Sequence, residues 1–195
     1  MATMRDDDPA AFMERVYAVL RDGHAARAEE LLREGAGRFP EDPEVALMLG
    51  SLLRAMQSDD AAEHVRRAAA LAAGDPGYLT RNAEQMLLLG DYPAARELVR
   101  QASAVATEDF EHAGELAYVA GRLMIEVGRD DLAGPLLADA FEHTPWIADH
   151  GLALAEFHAA HGRRDRALEV VAQALEHQPD DEWLLALRTD LEVAG

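Results

Sequence analysis

Apolar and small residues recur along the chain at helical spacing, and polar markers divide this pattern into short segments. The dipeptide Asp-Pro stands at 8–9, 42–43 and 75–76, and each copy precedes apolar residues three or four positions apart. Asp is a favoured helix N-cap, and Pro is tolerated in the first helical turn. Each Asp-Pro therefore predicts the start of a helix, and successive copies lie 34 and 33 residues apart.

A second marker predicts where one helix ends and how the next one packs. A Gly is followed five residues later by Ala, then by a branched apolar residue and a further small residue. Four segments have this pattern: Gly23, Ala28, Leu32 and Gly35; Gly90, Ala95, Val99 and Ala102; Gly128, Ala133, Leu137 and Ala140; and Gly162, Ala167, Val171 and Ala174. The Gly ends one helix, and the small residues let the next helix pack closely. The pattern predicts a series of helical hairpins.

These markers resemble the tetratricopeptide repeat family, whose repeats are helical hairpins of about 34 residues. Pro40, Pro145 and Pro179 stand where that family has its closing proline, and Gly50 and Gly121 stand at its small position in the first helix. The resemblance covers five repeats, with an insertion at 110–113, and the repeats follow an acidic lead-in at 1–8. They span 9–42, 43–75, 76–109, 114–147 and 148–181, which together form the segment 9–181. The resemblance implies an all-α, right-handed superhelical solenoid.

The remaining residues, 182–195, predict a final helix. Trp183, Leu184, Leu187 and Leu191 lie at helical spacing and give it one apolar stripe. Such a helix is expected to cap the last hairpin, because the end of a solenoid needs a cover. The alternative is self-association, for example as a homodimer, through Trp183 and Leu185.

Composition narrows the possible chemistry. Ala and Leu make up one third of the 195 residues, which favours helices, and the chain contains neither Cys nor Lys. Disulfides, thiol nucleophiles, Schiff-base lysines and the P-loop lysine are therefore excluded. The net charge of −19 repels nucleic acid and anionic membranes. We find no signal peptide and no apolar run of about 18 residues, and expect an acidic cytoplasmic protein. A high content of Ala and Arg without Lys is compatible with a bacterial source.

Catalytic and cofactor motifs are not apparent, so we expect no enzyme activity and no cofactor. Three histidines, His150, His158 and His161, lie along one predicted helix and are the weak candidates for a metal site. In the repeat register, His158 takes a position where the family buries an aromatic residue. We therefore expect His158 to be a core histidine with one hydrogen bond rather than a metal ligand.

The resemblance also implies that the first helices of the hairpins line a concave groove that binds a partner. The candidate partner-binding residues are Met13, Tyr17, Leu47, Ser51, Arg54, Arg81, Glu84, Tyr118, Arg122, Leu152 and Glu156. Among them Arg54, Arg81 and Arg122 could bind carboxylates of a peptide in forked hydrogen bonds. The alternative is that these arginines pair with Glu84 or Glu115 and that the apolar candidates pack hairpin against hairpin.

The sequence therefore predicts a non-catalytic scaffold that binds a peptide or helix of another protein. A self-assembling structural protein that associates through its terminal helices is the alternative. A metal-dependent or enzymatic role rests on the three histidines alone.

Overall fold

The computed structural model describes residues 8–72, 74–107 and 111–193. Within these residues all regular structure is α-helical, which confirms the predicted all-α fold of helical hairpins. The helices are α1 Pro9–Arg21, α2 Ala25–Arg38, α3 Pro43–Ala55, α4 Ala61–Leu71, α5 Pro76–Leu88, α6 Tyr92–Val105, α7 Ala113–Glu126, α8 Asp130–His143, α9 Ala148–Ala160, α10 Arg164–His177 and α11 Glu182–Val193. None of the helices in these ranges has the length and apolar character that a membrane span requires.

The Asp-Pro markers begin helices in the predicted way. In α3 the Asp42 carboxylate accepts a hydrogen bond of 2.9 Å from the backbone N–H of Val45, and Pro43 is the first helical residue. Asp75 makes the equivalent 3.0 Å bond at the start of α5. These bonds satisfy N–H groups that have no partner inside the helix.

The chain divides into two compact units, Met1–Val105 and Ala106–Gly195. The first unit contains the hairpins α1–α2, α3–α4 and α5–α6. Phe12, Val16, Leu32 and Leu49 belong to its buried apolar cluster. Gly50 brings α3 close to α4, since a Cβ atom at this position would lie 2.7 Å from Val65 Cγ2 and 3.0 Å from the Val65 backbone nitrogen. Close contact between the helices of a hairpin thus depends on the small residues of the repeat pattern.

The second unit contains the hairpins α7–α8 and α9–α10, followed by α11, which packs against α9 and α10. Leu184 and Leu191 of α11 are buried, and Arg164 donates hydrogen bonds to the last carbonyl groups of this helix. Trp183 does not join the buried stripe that the sequence predicts, because its side chain lies on the outer side of α11 and the residue is 73% exposed. Leu185, by contrast, is partly buried against the core of the second unit.

Candidate functional site

In the first unit, the first helices of the three hairpins are joined by a polar network. The Tyr17 hydroxyl of α1 donates a 2.7 Å hydrogen bond to Glu44 Oε1 of α3. Arg81 of α5 donates to the other oxygen of the same carboxylate at 2.8 Å, and its guanidinium lies 4.4 Å from the ring centroid of Tyr78. We call Tyr17, Glu44, Tyr78 and Arg81 the Glu44 network.

The Glu44 network has a defined protonation state. Burial raises the pKa of Glu44, but the hydrogen bonds from Arg81 and Tyr17 outweigh this effect and hold it below its usual value. Burial, together with the hydrogen bond to Glu44, raises the pKa of Tyr17 to about 12. At neutral pH the network therefore consists of a charged Glu44, a charged Arg81 and a neutral Tyr17.

The three arginines of the predicted groove already make polar contacts within the fold. Arg81 pairs with Glu44 rather than with Glu84 or Glu115. Arg54 donates a 2.8 Å hydrogen bond to Gln85, and Arg122 donates one of 2.8 Å to the hydroxyl of Tyr118. Each guanidinium is thus already oriented by a neighbouring side chain of its own unit.

In the second unit, an aromatic and polar chain connects α7 to α9. The ring of Tyr118 stacks on the ring of His150, with centroids 4.5 Å apart and planes inclined by 23°. His150 is 3% exposed, and its Nδ1 lies 2.6 Å from the hydroxyl oxygen of Thr144. Thr144 donates its one hydroxyl hydrogen to the carbonyl of Ala140, so the neutral His150 carries its proton on Nδ1 and donates it to Thr144. Burial lowers the pKa of His150, which favours this neutral form.

Beside this chain lies a groove of about 690 Å³ between α7 and α9, which we call the second-unit groove. Its lining residues are Arg122, Ile125, Glu126, Gly128, Asp130, Ala153, Glu156, Phe157, Ala160 and His161. The side chain of Ile125 is partly accessible, with 37% of the residue exposed. The groove thus combines apolar surface with several charged groups.

The predicted groove residues are not equally accessible. Met13 and Leu47 are only 5% and 4% exposed and pack in the core of the first unit, so they leave little surface for a partner. Glu156 is exposed. The remaining candidates are partly buried: Tyr17, Ser51, Arg54, Arg81, Glu84, Tyr118, Arg122 and Leu152.

The three candidate metal-ligand histidines have separate environments. His150 bonds to Thr144, whereas His161 lies 3.1 Å from Asp130 and 2.7 Å from the carbonyl of Phe157. The expectation for His158 is wrong, because its buried Nδ1 has no hydrogen-bond partner among the described residues, and the core histidine of α9 is His150. In the described ranges no group of three or more His, Cys, Asp or Glu side chains could hold a metal ion.

The sequence does not identify Glu44 as the acceptor shared by Tyr17 and Arg81. The contributions of Tyr78, Thr144 and Asp130 are also missed. The residues of each pair are up to 37 positions apart, and no local pattern links them. Their only sequence signal is the position of each residue within its repeat.

Comparisons with known proteins agree with this architecture. Residues 150–191 match the tetratricopeptide repeat family. A tetratricopeptide repeat protein of Thermus thermophilus is similar in structure, with a TM-score of 0.76, 22% identity, and coverage of 96% of this chain and 98% of that one. No curated protein matches the sequence.

Two further structures share the fold. A chain of the anaphase-promoting complex tetramer Cut9–Hcn1 has a TM-score of 0.76 at 16% identity, and the match covers 96% of this chain but only 37% of that chain. YrrB, described as a tetratricopeptide repeat protein with an unusual peptide-binding site, has a TM-score of 0.54 at 18% identity. That match covers 84% of this chain and 82% of YrrB.

Proposed function

We propose that the chain, which has the fold of tetratricopeptide repeat proteins and matches that family over residues 150–191, is a non-catalytic scaffold that binds a segment of another protein. In each unit, the binding surface is formed by the first helices of its hairpins. The observation that carries this proposal is the set of ordered, partly accessible polar and aromatic side chains on these helices, together with the second-unit groove. We further propose, from composition alone, a cytoplasmic location in a bacterium.

The hydrogen bonds among the side chains of this surface support a role in binding rather than in catalysis. Tyr17, Glu44 and Arg81 hold one another in defined positions. Because these side chains are already ordered, they lose less conformational entropy when a partner binds to them. His161 uses both ring nitrogens, and His150 uses Nδ1, for bonds within the fold, which is the arrangement of structural side chains. A peptide-binding site is named for YrrB, and that likeness adds support through the shared fold.

Affinity capture from the source cell tests the proposal. We expect the full chain to retain a defined set of partner proteins, Tyr17→Ala to lose part of that set, and Arg122→Glu to change its composition. Arg166→Glu is the matched control for Arg122→Glu, since Arg166 lies exposed on the second helix α10 and pairs with Glu169. Circular dichroism of each variant confirms that the helices remain folded. An unchanged partner set in both first-helix variants would contradict the proposal.

Self-assembly through the C-terminal helix is the second candidate function. Trp183 and Val193 of α11 are 73% and 80% exposed, which leaves apolar side chains uncovered at this end of the second unit. Light scattering over a range of concentrations distinguishes the two functions. A mass that stays monomeric at all concentrations removes self-assembly, whereas a dimer that dissociates on Trp183→Glu supports it.

A further inference from the structure

The second-unit groove has a distinctive charge balance. Its lining contains one arginine, Arg122, and three carboxylates, Glu126, Asp130 and Glu156. Arg122 directs one of its terminal nitrogens to the Tyr118 hydroxyl, at 2.8 Å. The acidic groups therefore dominate the electrostatic potential of the groove.

Glu156 is the carboxylate best placed to meet a ligand. It is exposed at the groove, and among the described residues it makes no hydrogen bond or ion pair. Asp130, by comparison, lies 3.1 Å from His161 Nε2. A cationic group that entered the groove would find at Glu156 a carboxylate to which no described side chain is bonded, so it would have to displace only water.

The floor of the groove favours an aliphatic chain. Ala153, Phe157 and Ala160 of α9 face Ile125 of α7 across the groove. Lys and Arg combine a flexible hydrocarbon stem with a charged end group, and they cover apolar surface with the stem while the charge stays near water. An acidic side chain in the same place would be repelled by the three carboxylates.

We propose that the second-unit groove binds an Arg or Lys side chain of a partner segment, with the stem on Ile125 and Ala160 and the cation at Glu156. This inference rests on the proposed function and specifies the chemistry of the partner. It reverses the expectation from sequence, in which the groove arginines bind carboxylates. The net charge of −19 assists by attracting basic segments over longer distances.

Selection from a random dodecapeptide library on the immobilised full chain tests the inference. We expect the selected peptides to be enriched in Arg or Lys beside apolar residues. For synthetic copies of these peptides, Glu156→Lys is expected to weaken binding about three- to tenfold. The matched control is Glu192→Lys, which makes the same charge change at an exposed position of α11 outside the groove. The control is expected to change binding less than Glu156→Lys, since it alters only the long-range attraction.

The possible outcomes separate the inference from the proposed function. Selected peptides that are acidic, or that bind equally to Glu156→Lys and Glu192→Lys, overturn the inference. If binding of those peptides still depends on Tyr17 or Arg122, the proposed function survives. If no peptide binds in a way that depends on first-helix residues, both proposals fail.

Discussion

Gln57 occupies a backbone conformation that most side chains avoid. It closes the α3–α4 turn with a φ of 58°, whereas Gly128 closes the α7–α8 turn with a φ of 71°. In this left-handed region the Cβ atom of an L residue crowds its own backbone, at a cost of roughly 1–2 kcal/mol. The second repeat therefore retains its turn despite a strained residue.

Replacement of Gln57 by Gly is expected to stabilise the chain. Relief of the strain is partly offset by the greater freedom of Gly in the unfolded chain, so we expect a gain of about 0.5–1 kcal/mol in the free energy of unfolding. Urea unfolding followed by circular dichroism measures it. Gly128→Gln is the reciprocal variant and is expected to destabilise, and a loss of stability in Gln57→Gly would contradict the argument.

His150 predicts a pH dependence of stability. Burial lowers the pKa of His150 in the folded state, so its full contribution to the free energy of unfolding is present above pH 6.5, its ordinary pKa. That contribution is lost as the pH falls through the pKa of the folded state. The wild type should therefore lose more stability than His150→Gln between about pH 7 and pH 5. Thermal unfolding at each pH, with each protein compared with its own value at about pH 8, measures this difference. Identical pH profiles would exclude a buried neutral His150.

At the scale of helices, Gly50 shows why the repeat pattern requires small residues. Its missing side chain leaves room for Val65 of α4, whose backbone nitrogen cannot move aside easily. We expect Gly50→Val to destabilise the first unit by about 1–3 kcal/mol through overpacking. The control is Gly37→Ala in α2, where an added Cβ atom has no neighbour within 4 Å.

Gly37→Ala is expected to stabilise the chain by up to about 1 kcal/mol, since Ala favours a helix more than Gly does. Unfolding by urea compares the two variants under the same conditions. Equal effects at both glycines would show that close packing does not determine the identity of residue 50.

The Glu44 network predicts that Tyr17 remains neutral in alkaline solution. Because the pKa of Tyr17 is raised from 10.0 to about 12 in the folded state, its contribution to the free energy of unfolding is fully present below pH 10.0. That contribution is lost as the pH rises toward 12. Native Tyr17→Phe should therefore have nearly the same tyrosinate absorbance as the wild type at about pH 10. In denaturant, where Tyr17 ionises with its ordinary pKa of 10.0, the variant should have about half a tyrosinate fewer at the same pH. The same difference in the native proteins would contradict the network.

Sequence and structure agree best where the determining interaction is local. Asp42 caps the helix that begins at the next residue, and Gly128 closes its own turn, so a short pattern predicts both. The pairing of Arg81 with Glu44 is different, because several other acceptors lie on the same predicted face. Distances between hairpins select among them, and those distances depend on the packing of the whole first unit. For the same reason the sequence indicates His158 as the core histidine, whereas the buried histidine of α9 is His150.

For the whole molecule, the excess of negative charge is the dominant electrostatic feature. Ion pairs such as Arg27–Glu30 and Arg166–Glu169 are exposed and span one helical turn, so they contribute little to stability. Repulsion among the remaining carboxylates opposes the compact state. Stability is therefore expected to increase with ionic strength.

Thermal unfolding at two salt concentrations tests this expectation. An increase from about 0.01 M to about 0.1 M NaCl shortens the screening length from about 30 Å to about 10 Å, which weakens the repulsion. We expect a higher unfolding temperature at the higher concentration. A decrease would mean that attractive ion pairs outweigh the net charge of −19.

The exposure of the tryptophans has a practical consequence. The chain contains two, Trp146 in the turn before α9 and Trp183 in α11, and they are 56% and 73% exposed. Since both indole rings are largely hydrated in the native state, their fluorescence should change little when the protein unfolds. The fluorescence should instead change when a partner or a second copy of the chain covers Trp146 or Trp183. The intrinsic emission is therefore a reporter of contacts made by the second unit rather than of its folding.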